Sequence, residues 1–424
     1  MANGEDVLCR ALLAAADRWY AVPGYPVTGI AEGTGAELTV NEKVALEYAL
    51  GDSLAGRRAG VILKNVGLNT CADPLVNATT QGLRRGVVVV AGDDIFVRGS
   101  QNAQDSRYFG EVAQIPVLEP DGETIGPAVE EAFAASEMFS RIALIRVTPP
   151  ALEGEAAGRI LLRGQGSGRL ADPDLTMRGR AEAADAVTAR MFAWSVSSPL
   201  NRRGPPPVGV GPAEGGGRAV TVYPPPLPPP DCADTREYGR PFVREHRIAQ
   251  PPPFPAQPET KSGRGFARTF CPSCPFRATV SMLAEREMTV ICDIGCSLFA
   301  ANPPYSVGVA SYGLGSSVAV AARSTRVALS GDYAMLHSGM NALADVREKG
   351  LPLLCIVLKN TRMGMTGGHP APDVARYIAW ANPRTIPADR HAEIAEALRM
   401  PDEPVTLIIE GTCPEGENHG TVEC

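Results

Sequence analysis

The stretch GDYAMLHSGMNALADVREKGLPLLCIVLKN, Gly331–Asn360, decides the fold. It opens where the apolar run RVALS ends in Gly331-Asp332, and it closes where LPLLCIVLKN ends in Asn360. Between them, HSGMNALADVREKG has helical spacing. Strand, crossover helix and strand form the unit of a parallel sheet. That unit brings two C-terminal strand ends to one edge, where α/β proteins bind ligands. Gly331 lets the backbone turn tightly beside an anion, and the helix after it can turn its N-terminus toward a phosphate. A carboxylate and an amide oxygen at neighbouring strand ends suit Mg²⁺, which takes oxygen ligands and completes its shell with phosphate and water. Two ordinary loops of a sheet would show the same pattern, so both readings stand at this point.

Working outward, MTVICDIG and VTLIIEGT read as further buried parallel strands, and ATVSMLAERE as a helix. Residues 266–424 form one α/β domain on this reading. Residues 1–160 form another: VLCRALLAAADRWY and NEKVALEYALGDSLAG have helical periodicity, while GVVVVAGDD and RIALIRVTPP read as strands. Alternating strands and helices imply doubly wound parallel sheets. Between the domains, residues 161–265 are Pro- and Gly-rich, as in RRGPPPVGVGPAEGGGR and YPPPLPPPDC. Proline lacks a backbone donor and favours extended chain, so roughly 198–265 is expected to form a linker without sheet or helix. RAEAADAVTARMFAW, just before it, is a weak helical candidate. No fixed-period repeat is visible.

The bulk properties bound the function. The chain has 424 residues, 44% hydrophobic and 21% charged, with a net charge of −7. This is an ordinary globular composition, and the acidic balance argues against a broad nucleic-acid-binding face. No apolar run reaches the ~18–20 residues of a membrane span. The start, MANGEDVLCR, lacks the pattern of a signal peptide, so a cytoplasmic location is expected. The chain carries ten cysteines. A reducing compartment disfavours disulfides and directs attention to metal ligation.

Two further features carry chemistry. Glu42 sits at a strand-to-helix junction, where a Glu is ordinarily a capping or dipole partner. Cys271-Pro-Ser-Cys274 is a C-x₂-C, followed by Cys292 and Cys296 in VICDIGCSL and by Cys413 in EGTCPEG. Thiolates so spaced can hold an iron–sulfur cluster or zinc. Cys355, and Cys292 in its strand, read as core. Cys9, Cys71, Cys232 and Cys424 show no ligand pattern.

Taken together, these blocks resemble the indolepyruvate:ferredoxin oxidoreductase α subunit, within the thiamine-diphosphate 2-oxoacid:ferredoxin oxidoreductases. The matching segments are PGYPVTGIAE, TVNEKVALEYALGDSLAG, KNVGLNTCADPL, VVVVAGDD and SQNAQDSRYFG in the first domain. In the second they are CPSCPFRAT, DIGCSL, GDYAMLHSGMNAL and NTRMGMTGGHPAP.

The resemblance implies two thiamine-diphosphate-binding domains, pyrimidine-type at 1–160 and diphosphate-type at 266–424. It implies that Glu42 meets the cofactor's aminopyrimidine and that Asp332, Asn360 and the carbonyl of Arg362 hold Mg²⁺. Gly331 and the loop Met363, Gly364, Met365 and Thr366 would cover the diphosphate. Thr28, Lys64 and Arg107 become candidates for the substrate wall, with Asn65, Asn69, Gln101 and Asn102 beside them. A cation there would pair with an oxoacid carboxylate. His369 is equally a site residue or a solvated loop histidine. Cys271, Cys274, Cys296 and Cys413 become the ligands of a [4Fe–4S] cluster.

The activity implied is decarboxylation of a 2-oxoacid, indolepyruvate or another arylpyruvate, to an acyl-CoA with reduction of ferredoxin. CoA would be a co-substrate and a separate γ/β-type subunit a partner, in a dimer or hetero-oligomer. A non-oxidative decarboxylase or carboligase would share Glu42, Asp332 and Asn360 without a cluster. A scaffolding paralogue would need none of these. Three departures stand out: Ser273 and Phe276 replace the family's Gly and His in the cysteine motif, the middle domain is reduced to the Pro-rich segment, and the run of cysteines of a ferredoxin-like domain is missing before Cys424.

Overall fold

A computed structural model describes residues 2–100, 104–197, 221–223 and 257–424. Gln101, Asn102, Cys232 and most of the Pro-rich segment lie outside the described residues. The chain divides into two compact units, Met1–Ala171 with Arg180–Pro258, and Asp172–Gly179 with Glu259–Cys424. Among the described residues, no helix is long and apolar enough to cross a membrane.

The first unit is built on strands β1 (Arg18–Val22), β2 (Glu37–Leu38), β3 (Ala59–Lys64), β4 (Val87–Gly92), β5 (Val117–Glu119), β6 (Ala143–Val147) and β7 (Thr221–Tyr223). Their order is β2-β1-β3-β4-β6-β5-β7. Every pairing is parallel except the antiparallel β5–β7 edge. Helices cover both faces, so the central strand VVVVAG is buried throughout. Two expectations need correction. Helix Gly4–Ala15 stops short of Arg18-Trp19-Tyr20, which belong to β1. A strand, β7, also forms inside the segment expected to be free of sheet, where TVY, rich in β-branched and aromatic residues, interrupts the prolines. The helical candidate before that segment is realised as Met177–Ser197.

An internal ion-pair group fastens this unit. Arg58 is 1% exposed, pairs with Glu130 at 2.8 Å and Glu137 at 2.6 Å, and lies 5.1 Å from the ring centre of Phe133. Both carboxylates project from helix Ile125–Phe139, so one buried cation ties this helix to the start of β3.

The second unit has a six-stranded sheet of β9 (Val290–Cys292), β10 (Gly308–Ala310), β11 (Val327–Gly331), β12 (Leu353–Lys359), β13 (Arg384–Pro387) and β14 (Pro404–Glu410). Its order is β10-β9-β11-β12-β14-β13 and all pairings are parallel. A separate antiparallel pair joins β8 (Phe266–Arg268) to β15 (Thr421–Glu423). Gly331 stands opposite Leu358 in the β11–β12 register, which sets Asp332 and Asn360 side by side at the C-terminal edge. The crossover helix begins at Asp332, earlier than the sequence suggests, and passes through a π-helical turn at Met335–Gly339 before the regular helix Met340–Glu348. π turns add a residue to the helix and recur at functional sites.

Candidate functional site

The β11–β12 edge opens on a cavity of about 580 Å³. Asp332 stands at its base, 3% exposed. One carboxylate oxygen accepts the N–H of Tyr333 at 2.7 Å; the other accepts those of Asn360 at 3.1 Å and Thr361 at 2.7 Å. The first residue of one loop thereby anchors the first turn of the next. Burial raises the Asp332 pKa, and the three N–H groups and Lys359 oppose the rise. Asn360 Oδ1 accepts the N–H of Arg362 at 3.1 Å. The loop beyond doubles back, with Met363 N–H donating to the His369 carbonyl at 2.8 Å and Ala371 N–H to that of Thr361 at 2.8 Å.

Gly331, Asp332, Asn360 and Arg362 line the cavity, together with Met363, Gly364, Met365 and Thr366. His369 is exposed and lies outside the lining.

The same cavity is lined by Cys271, Cys274, Cys296 and Cys413. All four are free thiols. The two groups of residues meet at Gly364: a Cβ there would lie 3.7 Å from Cys296 Sγ and 3.8 Å from both Cys413 Sγ and Asn360 Nδ2. Burial, reinforced by the neighbouring thiols, pushes Cys296 up to about 12. Burial and the Cys271 and Cys413 thiols likewise hold Cys274 at about 11, although a backbone hydrogen bond works the other way. Thiols in such a setting stay protonated until a cation replaces the protons. Cys292 and Cys355 are fully buried in strands, as core residues.

In the first unit, Asn41 caps helix Glu42–Leu54, its side chain accepting the Val44 N–H at 2.9 Å. Glu42 is half-buried and lies against the 3₁₀ turn Asn65–Asn69 that follows β3. A Cβ on Gly67 would sit 2.3 Å from Glu42 Oε1, and Thr70 Oγ1 is 3.5 Å from Oε2. Lys64 runs along Gly24, whose Cβ position is 2.6 Å from Lys64 Cδ, and its ammonium donates to the Gly99 carbonyl at 3.4 Å. Thr28 is exposed and lines a separate cavity of about 240 Å³ with Tyr25 and Glu153. Asn65 and Asn69 both bond to Gln104.

Arg107 requires correction. It is 4% exposed and pairs with Asp105 at 2.5 Å and Glu119 at 3.2 Å, inside a group that also holds Arg146 and Asp93. Its charge is already matched by carboxylates, so it is an interior ion-pair residue and not a substrate cation.

Two residues of the second unit escaped the sequence reading. Asp293, fully buried after β9, accepts the Ser317 hydroxyl at 2.8 Å and N–H at 3.2 Å, and the Ser330 hydroxyl. It fixes the edge from which the cavity opens. An acid directly after a buried apolar run was the available signal. His419 lines the cavity with Nε2 3.5 Å from Cys296 Sγ; nothing in its local sequence marks it.

Two sets of donor residues line the one cavity. Among the described residues, no three His, Cys, Asp or Glu side chains are disposed to hold a single metal ion. The oxygen-bearing residues Asp332, Asn360 and Arg362 meet at the cavity edge, where Asn360 Oδ1 accepts the Arg362 N–H at 3.1 Å and the Arg362 carbonyl accepts the Gly364 N–H at 3.0 Å. The four thiols line that cavity, and four thiolates are the complement that a four-iron cluster takes.

Residues 278–406 match the family described as thiamine pyrophosphate enzyme, C-terminal TPP binding domain. Indolepyruvate oxidoreductase subunit IorA of Archaeoglobus fulgidus is 37% identical over 164 residues, covering 34% of this chain and 25% of that protein. IorA of Methanothermobacter thermautotrophicus is 38% identical over 128 residues, covering 30% of this chain and 21% of that protein. The chain thus spans a quarter or less of the length of these curated relatives.

Among solved structures, the thiamine diphosphate-dependent 4-hydroxybenzoylformate decarboxylase of Rhodococcus jostii RHA1 aligns at a TM-score of 0.58 and 16% identity, over 98% of this chain and 100% of that one. Benzoylformate decarboxylase of Polynucleobacter necessarius aligns at 0.58 and 14%, over 97% and 99%. At such identities the likeness is one of fold. The chain thus has a two-domain α/β fold shared with thiamine diphosphate-dependent enzymes, matches the thiamine pyrophosphate enzyme family over residues 278–406, and is similar to subunit IorA of indolepyruvate oxidoreductase.

Proposed function

We propose that this chain is one subunit of a thiamine-diphosphate- and Mg²⁺-dependent 2-oxoacid oxidoreductase, decarboxylating an arylpyruvate such as indolepyruvate. The observation that supports this most is the shared cavity of the second unit, where Asp332, Asn360 and the Met363–Thr366 loop face four free cysteines.

Bound thiamine diphosphate supplies carbanion chemistry at its thiazolium C2. The chain's own residues do the rest. Asp332, Asn360 and the Arg362 carbonyl would hold Mg²⁺, and the loop from Met363 to Thr366 would screen the diphosphate from water. Glu42 would hold a proton at N1′ of the aminopyrimidine, positioned by the close approach of Gly67. Thr28 and Lys64 would orient the oxoacid carboxylate. The four thiols would hold a [4Fe–4S] cluster, a one-electron carrier. Ferredoxin as acceptor, CoA as acyl acceptor, a separate γ/β-type subunit and a cytoplasmic setting complete the proposal. The name "subunit" borne by the relatives supports assembly with a partner.

Anaerobic purification followed by iron, sulfide and thiamine analysis tests this reading. About four irons and four acid-labile sulfides per chain are expected, together with calorimetric binding of thiamine diphosphate that requires Mg²⁺. An active protein without iron would replace the proposal with a non-oxidative decarboxylase or carboligase.

A further inference from the structure

We infer that His419 is a positioning residue for the thiol set, donating its Nε2–H to the sulfur of Cys296 and thereby raising the reduction potential of the cluster held there. The inference rests on the cluster reading above and adds a residue that neither the cysteine motif nor the oxygen ligands include.

The ring packs on an aromatic neighbour, and its backbone is fastened on both sides. Its centre lies 4.9 Å from that of Phe299, which packs edge-on to Phe270 at 5.9 Å. The backbone beside it is pinned on both flanks. Gly420 N–H donates to the Phe270 carbonyl at 3.3 Å, and the Gly420 carbonyl accepts the Thr269 N–H at 2.8 Å. Two residues before it, Glu417 accepts the Ser273 N–H at 3.0 Å, from inside the Cys271–Cys274 turn. Antiparallel pairing of β15 with β8 fastens the same segment beyond. The distance of 3.5 Å from Nε2 to Cys296 Sγ is therefore set by the fold.

Chemistry then fixes the direction of the bond. A free thiol can donate its S–H to an imidazole nitrogen. A thiolate bound to iron has only acceptor capacity, so its partner must present N–H. Hydrogen bonds to ligand sulfurs are among the terms that set cluster potentials. An N–H aimed at sulfur favours the reduced state, which carries one more negative charge. The cysteine motif carries Ser273 and Phe276, and the Ser273 N–H is bonded to Glu417 in the segment that carries His419. The tail supplies the polar contact to the thiol set that the motif itself does not.

The test is a dye-mediated redox titration of the anaerobically purified full chain, followed by electron paramagnetic resonance. His419→Phe keeps an aromatic ring against Phe299 and removes the donor; His419→Gln keeps a side-chain N–H. His419→Phe is expected to shift the one-electron reduction equilibrium about tenfold toward the oxidised form, which is about 59 mV more negative. His419→Gln is expected to recover at least half of that shift. An unchanged midpoint in His419→Phe overturns the inference and leaves the cluster reading intact. So does a Gln variant shifted as far as the Phe variant, since that would make the effect one of packing. If the Phe variant retains no cluster, the Gln variant decides in the same way, by whether its midpoint stays near the wild-type value. A wild-type chain that holds no iron overturns both.

Discussion

Gly67→Ala is the sharpest probe of the first unit. A Cβ at this position would lie 2.3 Å from Glu42 Oε1 and 2.7 Å from both Cδ and Cγ. Carbon atoms rest at roughly 3.5–4.0 Å, so the carboxylate must retreat by about 1 Å. The neighbouring turn cannot give way instead, because the Asn65 and Asn69 side chains on either side of Gly67 are bonded to Gln104. Glu42 is a flexible, half-buried side chain that can swing aside, so the unit stays folded. A misplacement of ~1 Å at a reacting group costs on the order of 10²-fold in rate.

The assay is turnover of an arylpyruvate at saturating thiamine diphosphate and Mg²⁺, read by reduction of a viologen dye, with circular dichroism to confirm the fold. Expected are a kcat lowered about 10²-fold and cofactor binding to the second unit largely retained. A folded variant whose kcat stays within about twofold of wild type, against the ~10²-fold loss expected, would show that Glu42 does not do chemistry from this position.

Asp332→Ala strips three part-buried backbone N–H groups of a charged acceptor, and each such bond is worth about 1.5–3 kcal/mol at most. The second unit should melt earlier and calorimetry should show no Mg²⁺-dependent cofactor binding; undiminished binding would remove Asp332 from the metal site. Arg58→Met leaves buried Glu130 without its short ion pair and Glu137 with only Arg85, at 3.8 Å, and chemical denaturation should report a loss of about 3–5 kcal/mol. A loss below about 1 kcal/mol, in the range of an exposed pair, would mean that water reaches the group. Acid sensitivity offers another check. Arg163, at 2.7 and 2.8 Å from Asp17, holds that carboxyl below its usual range, with the Arg58 N–H helping and burial opposing. A depressed folded pKa contributes stability above the unfolded value of about 3.9, and the contribution disappears as pH falls below it. Asp17→Asn should therefore flatten the acid limb of the stability curve below about pH 4; parallel curves would contradict this.

The sequence disclosed the fold wherever the governing signal was local. Runs such as VVVV at 87–90 and LLCIV at 353–357 are buried strands because nothing else suits an unbroken apolar segment between turns. Asp332 and Asn360 were legible for the same reason, as polar residues at the ends of such runs. Arg107 was misread because one of its acidic partners, Glu119, reaches it only once β5 has paired with β6. The early start of the crossover helix was hidden by its π turn, whose extra residue shifts the phase of the helical pattern. His419 was illegible because its meaning depends on a sulfur 123 residues away in sequence.

The β8–β15 pair bears on how the second unit folds. Its register joins Thr421 to Arg268 and Val422 to Ala267, across nearly the whole length of the unit. Closing so long a loop costs entropy before any contact returns it, so such pairings tend to form after local ones. The parallel sheet can assemble from neighbouring strands first, and the cavity wall carrying Cys413, Glu417 and His419 settles last. Formation of the cavity thus reports completion of the fold, and refolding followed at the thiols should lag refolding followed at the sheet.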